Sequence, residues 1–209
     1  VALSATVLFA ACSLTLIALS LRDKDSAAVE PNVAAALLWL VLLFTAATGL
    51  GRVFIQEEER GTALTLRLTA RATTVWAGKF AANALLLLFL AGVAAPTLMA
   101  MLAVPVVNPW LLICVLTLGS LGTAAVFTTT SALVAEASAK GGLLPVLSFP
   151  LLVPLLQAGV HGTKIALGVG VVPGSVPLVL ATGDLQVLGS YAVVATTASL
   201  MLFEFLWEG

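Results

Sequence analysis

The 209-residue chain is 61% hydrophobic and 9% charged, with a formal net charge of −1 and a mean hydropathy of +1.16, against roughly 25% charge in soluble domains. Six long apolar stretches leave no polar faces with which to meet water, which excludes a soluble globular fold. No Gly-rich phosphate loop, zinc-ligand spacing or basic nucleic-acid patch occurs, so neither hydrolytic chemistry nor a nucleic-acid partner is expected.

A bilayer core about 30 Å thick is crossed by about 20 apolar residues in a helix. Residues 1–21 form the first stretch of that length. No basic residue precedes it and it exceeds the 7–15 residues of a signal-peptide core, so it is expected to span rather than to be cleaved. The sequence opens on Val1, which suggests that residues upstream are missing. A second span is predicted over 33–55, with Arg52 snorkelling towards headgroups. The third, 80–107, runs 28 residues without a charge but is interrupted by Pro96 and Pro105. The fourth is 110–135, the fifth 141–160 and the sixth 185–207. Between the last two, Gly168, Gly170, Gly174, Pro173 and Pro177 crowd residues 165–182, so this part is expected to be an outer re-entrant or surface segment. The predicted fold is therefore all-α, a polytopic membrane protein with six transmembrane helices in one domain.

With six spans, Arg52, Arg60, Arg67, Arg71, Lys79 and Lys140 fall on one side, and Arg22, Lys24 and Lys164 on the other. Basic residues in short loops stay cytoplasmic, so the 2/3 and 4/5 loops and both termini are expected inside a bacterial plasma (inner) membrane.

The 2/3 loop is the longest polar passage, "FIQEEERGTALTLRLTARATTVWAGK" at 54–79. After Gly61 it reads as at least four turns of helix, with Arg60, Arg67 and Arg71 within about 40° of one another and Leu64, Leu68 and Val75 beside them. Two explanations fit: anchoring in the lipid interface, or docking onto a cytoplasmic protein. Glu57, Glu58 and Glu59 favour docking, because acids gain nothing from an anionic leaflet but complement a helix N-terminus and a partner's cations. A coupling segment is thus expected at 57–75. The 4/5 loop, "VAEASAKGG" at 134–142, carries Glu136 and Lys140 at helical spacing and then Gly141 and Gly142; it is either a plain hairpin or a second cytoplasmic contact.

The spans themselves hold almost no ionisable groups, which argues against an ion-driven carrier. They are rich in small residues (AANA at 81–84, AGVAAP at 91–96, GSLGTAA at 119–125) that let helices approach closely. Cys12 and Cys114 lie within spans and are expected to be unlinked packing residues. Trp39, Trp76, Trp110 and Trp207 are expected near membrane boundaries. Trp110 is an outer anchor or a contact for a hydrophobic ligand. His161, the one histidine, is either a solvated outer residue or a ligand for heme iron.

The 54–79 passage and "LGSLGTAAVFTTTSALVAEASAKGGLLPVLSFPLLVPLLQAGV" at 118–160 resemble the CcmB (heme exporter protein B) family of cytochrome c maturation. Phe54, Glu57, Gly61, Leu64, Leu68 and Lys79 match its first block; Lys140, Gly141, Gly142, Pro145, Pro150 and Pro154 match its second. Two features depart from the family. The coupling segment reads LTARA where the family has LSPLP, and the charged segment before the first span is lacking. The resemblance implies a non-catalytic transmembrane subunit with an ABC-2-type permease fold. Its partners would be a cytoplasmic ATPase subunit CcmA, a second copy of the chain, the membrane subunits CcmC and CcmD, and the heme chaperone CcmE. ATP would bind the partner ATPase, heme would be handled by the complex, and no cofactor is expected on this chain. A permease for another hydrophobic substrate such as a lipid, and an ATP-independent membrane scaffold, are the competing readings.

Overall fold

The computed structural model describes residues 30–50, 71–136, 143–171 and 177–208. The predicted first span, the 51–70 part of the second loop and residues 137–142 lie outside the described residues. What is described is helical: α1 (Pro31–Gly49), α2 (Ala72–Met101), α3 (Pro109–Glu136), α4 (Leu143–Ala166), the single turn α5 (Pro177–Leu180) and α6 (Thr182–Glu208).

Local chemistry sets the helix ends. Pro31 and Pro109 open α1 and α3 at the first turn, where a missing N–H costs nothing. Asn108 caps α3, its Oδ1 accepting from the Leu111 N–H at 3.1 Å. At the end of α2, Val104 N bonds to Met99 O at 3.0 Å and Ala103 N to Ala100 O at 3.4 Å. This is a Schellman cap with Ala103 at φ +54°, where glycine is usual. The same cap closes α4, through Val169 N to Lys164 O and Gly168 N to Ile165 O, both 3.0 Å, with Gly168 at φ +92°. Pro96 is accommodated inside α2 rather than ending it.

Four of these helices, α1, α2, α3 and α6, are long and apolar enough to cross a membrane. The helix α4 runs alongside them for 24 residues with Pro150 and Pro154 inside it. The outward faces are apolar too: Leu40, Phe44, Leu85, Phe89, Val193, Val194, Met201 and Phe205 are all exposed, Phe205 at 81%. A helix apolar around its whole circumference suits lipid and not water. Inside, no buried side-chain nitrogen or oxygen among the described residues lacks a partner. Many hydroxyls bond back one turn, as Thr45 does to Val41 O and Thr123 to Gly119 O. The chain is an all-α, polytopic membrane protein.

The core falls into clusters that fix the helix directions. Ala34 and Leu38 of α1 pack with Leu98 of α2, Leu111 of α3 and Ile165 of α4. Leu43 and Leu50 pack with Ala84, Leu87, Phe127, Val134 and Leu152. Consecutive helices α1 to α4 therefore alternate in direction. The helix α3 is the most enclosed of the spanning helices and α6 the least.

Several expectations are corrected here. The third helix begins at Ala72, eight residues before the predicted 80, and stops at Met101; the fifth predicted span continues to Ala166 rather than 160. Arg71 is extended, with φ −74° and ψ 144°, so an unbroken coupling helix through Val75 does not form; Val75 belongs to the first turns of α2. Trp39 and Trp76 are core residues, each 3% exposed, and not boundary anchors. Cys114 is free but exposed, so it is not a packing residue.

Candidate functional site

Helix alternation separates the predicted site residues into two groups at opposite ends of the bundle. At one end, α2 begins after Arg71, α3 finishes at Glu136, α4 begins at Leu143 and α6 finishes at Glu208. Their proximity is recorded in side-chain contacts. Trp76 of α2, Ala132 of α3 and Phe203 of α6 form one buried cluster. Trp76 Nε1 donates to Ser199 Oγ at 2.8 Å, and the Thr129 hydroxyl also bonds to Ser199. One layer inward, Asn83 Nδ2 donates to Thr128 Oγ1 at 2.9 Å. The Trp76 ring stacks on Phe80 with centroids 5.0 Å apart. Three helices are thus tied by interhelical hydrogen bonds within a few turns of this end.

Of the residues singled out for coupling, Arg71 is described: it is exposed, at the N-cap of α2. Glu57, Glu58, Glu59, Gly61, Leu64, Arg67 and Leu68 lie outside the described residues, as do Lys140, Gly141 and Gly142. Glu136 is the last residue of α3. Residues 51–70 and 137–142 are nevertheless both joined to this same end, through Leu50, Arg71, Glu136 and Leu143. The described residues that flank the two segments, Leu50, Arg71, Glu136 and Leu143, therefore lie at one end of the bundle, although they are far apart in sequence.

The opposite end is built from the end of α2, the start of α3, the end of α4 and the start of α6. Val107 N and Asn108 N both bond to Ala166 O, at 3.1 and 2.9 Å, which fastens the α2–α3 turn to α4. His161, expected just beyond the fifth span, lies within α4, and its Nδ1 is 2.7 Å from Asp184 Oδ2 on α6. The imidazole is 62% exposed and the carboxylate 16%. Asp184 is the partner of His161 that the sequence reading did not pair with it. It borders the sixth predicted span, and once α4 runs to Ala166 and α6 starts at Thr182 the two residues face each other. Trp110, 74% exposed, stands at the same end near the start of α3.

Among the described residues the interior between the ends is neutral: the buried polar residues are Thr, Ser and Asn, and no group of three or more His, Cys, Asp or Glu capable of holding a metal ion occurs. An open groove of about 570 Å³ runs between α2, α3 and α6, lined by Phe80, Leu118, Leu121, Ala192 and Val193 among others. It carries no ionisable side chain.

Residues 1–202 match the CcmB family, described as "CcmB protein". The chain belongs to the CcmB family. No curated protein and no solved structure matches it. CcmB membership makes the chain a membrane subunit of the heme exporter system of cytochrome c maturation, and the apolar helices make it multi-pass. In this CcmB chain the buried interior, among the described residues, carries no ionisable side chain.

Proposed function

We propose that this CcmB chain transmits the work of a separate cytoplasmic ATPase subunit, CcmA, to the outer side of a bacterial inner membrane. There that work frees the heme-loaded chaperone CcmE. In this reading two copies of the chain serve a dimeric ATPase, CcmC and CcmD complete the membrane assembly, and the chain itself is non-catalytic. Its helices would pack as an ABC-2-type permease with both termini in the cytoplasm.

The single observation that carries the reading is the convergence at the Arg71 end. The chain leaves and re-enters the bundle there, at Leu50, Arg71, Glu136 and Leu143, and residues 51–79 and 137–142 hold six of the nine basic residues in the sequence. Basic residues favour the cytoplasmic side, where ATP is. The hydrogen-bonded tie of Trp76, Ser199 and Thr129 supports it mechanically, since a push on the start of α2 is passed directly to α3 and α6. A motor outside the membrane is also what a neutral interior calls for.

The test is charge reversal in the intact complex. Arg67→Glu with Arg71→Glu abolishes co-purification of the ATPase and halts cytochrome c maturation, while the protein still inserts. Undiminished co-purification overturns the assignment. A lipid permease would keep the ATPase but would not need heme-handling partners; an ATP-independent scaffold would purify without an ATPase at all. Mass spectrometry of the purified complex separates the three.

A further inference from the structure

Among the described residues, the His161–Asp184 pair is the cluster of titratable side chains at the end away from the coupling segments whose geometry is that of a ligand site. A carboxylate can only accept, so Nδ1–H faces Asp184, and in the neutral imidazole Nε2 keeps its lone pair. Asp184, largely covered at 16% exposure, is the fixed member; His161, at 62%, is the presented one. Metal-ligating histidines are held in this way, the far nitrogen oriented by a carboxylate that fixes the tautomer and raises the basicity of the ligating one. The dyad is also firmly mounted. A Cβ at Gly162 would lie 2.9 Å from Val115 Cγ2 and 3.5 Å from Asp184 Cβ, so α4 is pressed against both α3 and α6 next to the imidazole.

Two further features narrow the ligand. Lys164 is three residues beyond His161 on α4, on the same helix face, and brings a cation near the imidazole. The same end carries exposed apolar surface, from Leu178, Val179 and Leu180 of α5, which precede Asp184 closely in the chain, and from Val107 and Trp110. One axial nitrogen, one cation and an apolar shelf suit a flat, apolar macrocycle with an iron centre and carboxylate arms better than a hydrated metal ion, for which a single imidazole is too few ligands.

We propose that His161, oriented by Asp184, is an axial ligand for an iron porphyrin at this end of the bundle, with Lys164 meeting its carboxylates. Asp184 is a positioning residue. The choice of an iron porphyrin rests on the heme-handling role proposed above, but the site's geometry is independent of how the ATPase is engaged.

The experiment is titration of the purified full chain in lipid nanodiscs with ferric protoporphyrin IX, followed by absorption and electron paramagnetic resonance. Wild type gives the spectrum of imidazole-ligated iron; His161→Ala loses it, leaving the signal of porphyrin dissolved in lipid. Asp184→Asn keeps the ligation but weakens binding by about tenfold or more, as loss of outer-shell carboxylates does. Lys164→Gln weakens binding without changing the spectrum. His161→Gln, which keeps a polar side chain of similar length against Asp184, loses the spectrum in a protein whose thermal unfolding is that of wild type. An imidazole spectrum absent from wild type, or unaltered in both His161 variants, overturns the proposal. The two readings fail separately: charge reversal at Arg67 and Arg71 that leaves ATPase binding intact sinks the coupling role, whatever the titration gives, and a silent titration sinks this site alone.

Discussion

Gly159→Ala is the smallest change that the packing forbids. A Cβ at that position would stand 2.5 Å from Trp39 Cζ2, 2.6 Å from Cε2 and 2.8 Å from Cη2, whereas carbon atoms rest about 3.5–4.0 Å apart. The indole therefore has to move by roughly 1 Å. Little room exists, because the ring tip is also held against Gly119, where a Cβ would come within 2.1 Å of Cη2. Any such shift strains the buried 2.9 Å bond from Trp39 Nε1 to Thr163 Oγ1. Thr163 retains its own bond to Gly159 O at 2.7 Å, so the loss falls on the indole N–H. Overpacking costs about 1–3 kcal/mol, and an interhelical hydrogen bond in a membrane protein contributes about 0.6–2 kcal/mol. The sum is about 2–5 kcal/mol. Reversible unfolding in bicelles, read by steric trapping, measures it. The decisive comparison is a cycle with Trp39→Ala: once the ring is gone, the added methyl has nothing to strike, and Gly159→Ala becomes almost neutral. A Gly159→Ala protein as stable as wild type, or an equal cost in both backgrounds, refutes the packing of α1 between α3 and α4.

Trp76→Phe removes the bond to Ser199 while keeping a ring to stack on Phe80, and lowers stability by about 0.6–2 kcal/mol in the same assay; an unchanged midpoint would mean the three-helix tie is not formed. Ala103→Gly relieves a left-handed residue in a Schellman cap and stabilises by about 1 kcal/mol, whereas Gly168→Ala destabilises, since it puts a side chain at φ +92° and 2.7 Å from Val107 Cγ2. Phe89, 61% exposed on α2, faces lipid: Phe89→Asp raises the insertion free energy by about 3 kcal/mol and reduces the membrane-inserted fraction, an effect that a water-exposed site would not give.

Helices and their rough limits were legible in the sequence, because apolar length and punctuation by proline, asparagine and glycine are local properties. Asn108 and Pro109 mark the start of α3 directly. Trp39 and Trp76 depart from the boundary expectation for a physical reason. Nearness to a predicted boundary is not nearness to the interface: Trp39 sits in a slot made by Gly119 and Gly159, a property of two other helices and not of its own neighbourhood. The small-residue stretches did signal such slots without saying what fills them: Ala91, Ala94, Ala95, Ala124 and Ala125 are buried, while Gly92 of the same pattern has open space beside it. The His161–Asp184 contact was beyond reach for a related reason, because it depends on where α4 ends and α6 begins, and both limits shift by a few residues from the hydropathy boundaries. At the coupling end, the extended Arg71 marks the limit of periodicity as a guide: an Arg and Leu pattern at helical spacing persists across a position where the backbone is not helical.

The central claim is that the Arg71 end of the bundle meets the ATP-bearing side of the membrane and the His161 end meets the other. Single cysteines replacing Arg71 or His161, in a chain whose Cys12 and Cys114 have been changed to serine, report this directly with a membrane-impermeant maleimide. Arg71→Cys is expected to react in inverted vesicles and to stay protected in intact spheroplasts, with His161→Cys giving the reverse. Labelling of Arg71→Cys from outside the cell would contradict the account, because no cytoplasmic motor could then reach the segment said to receive its work.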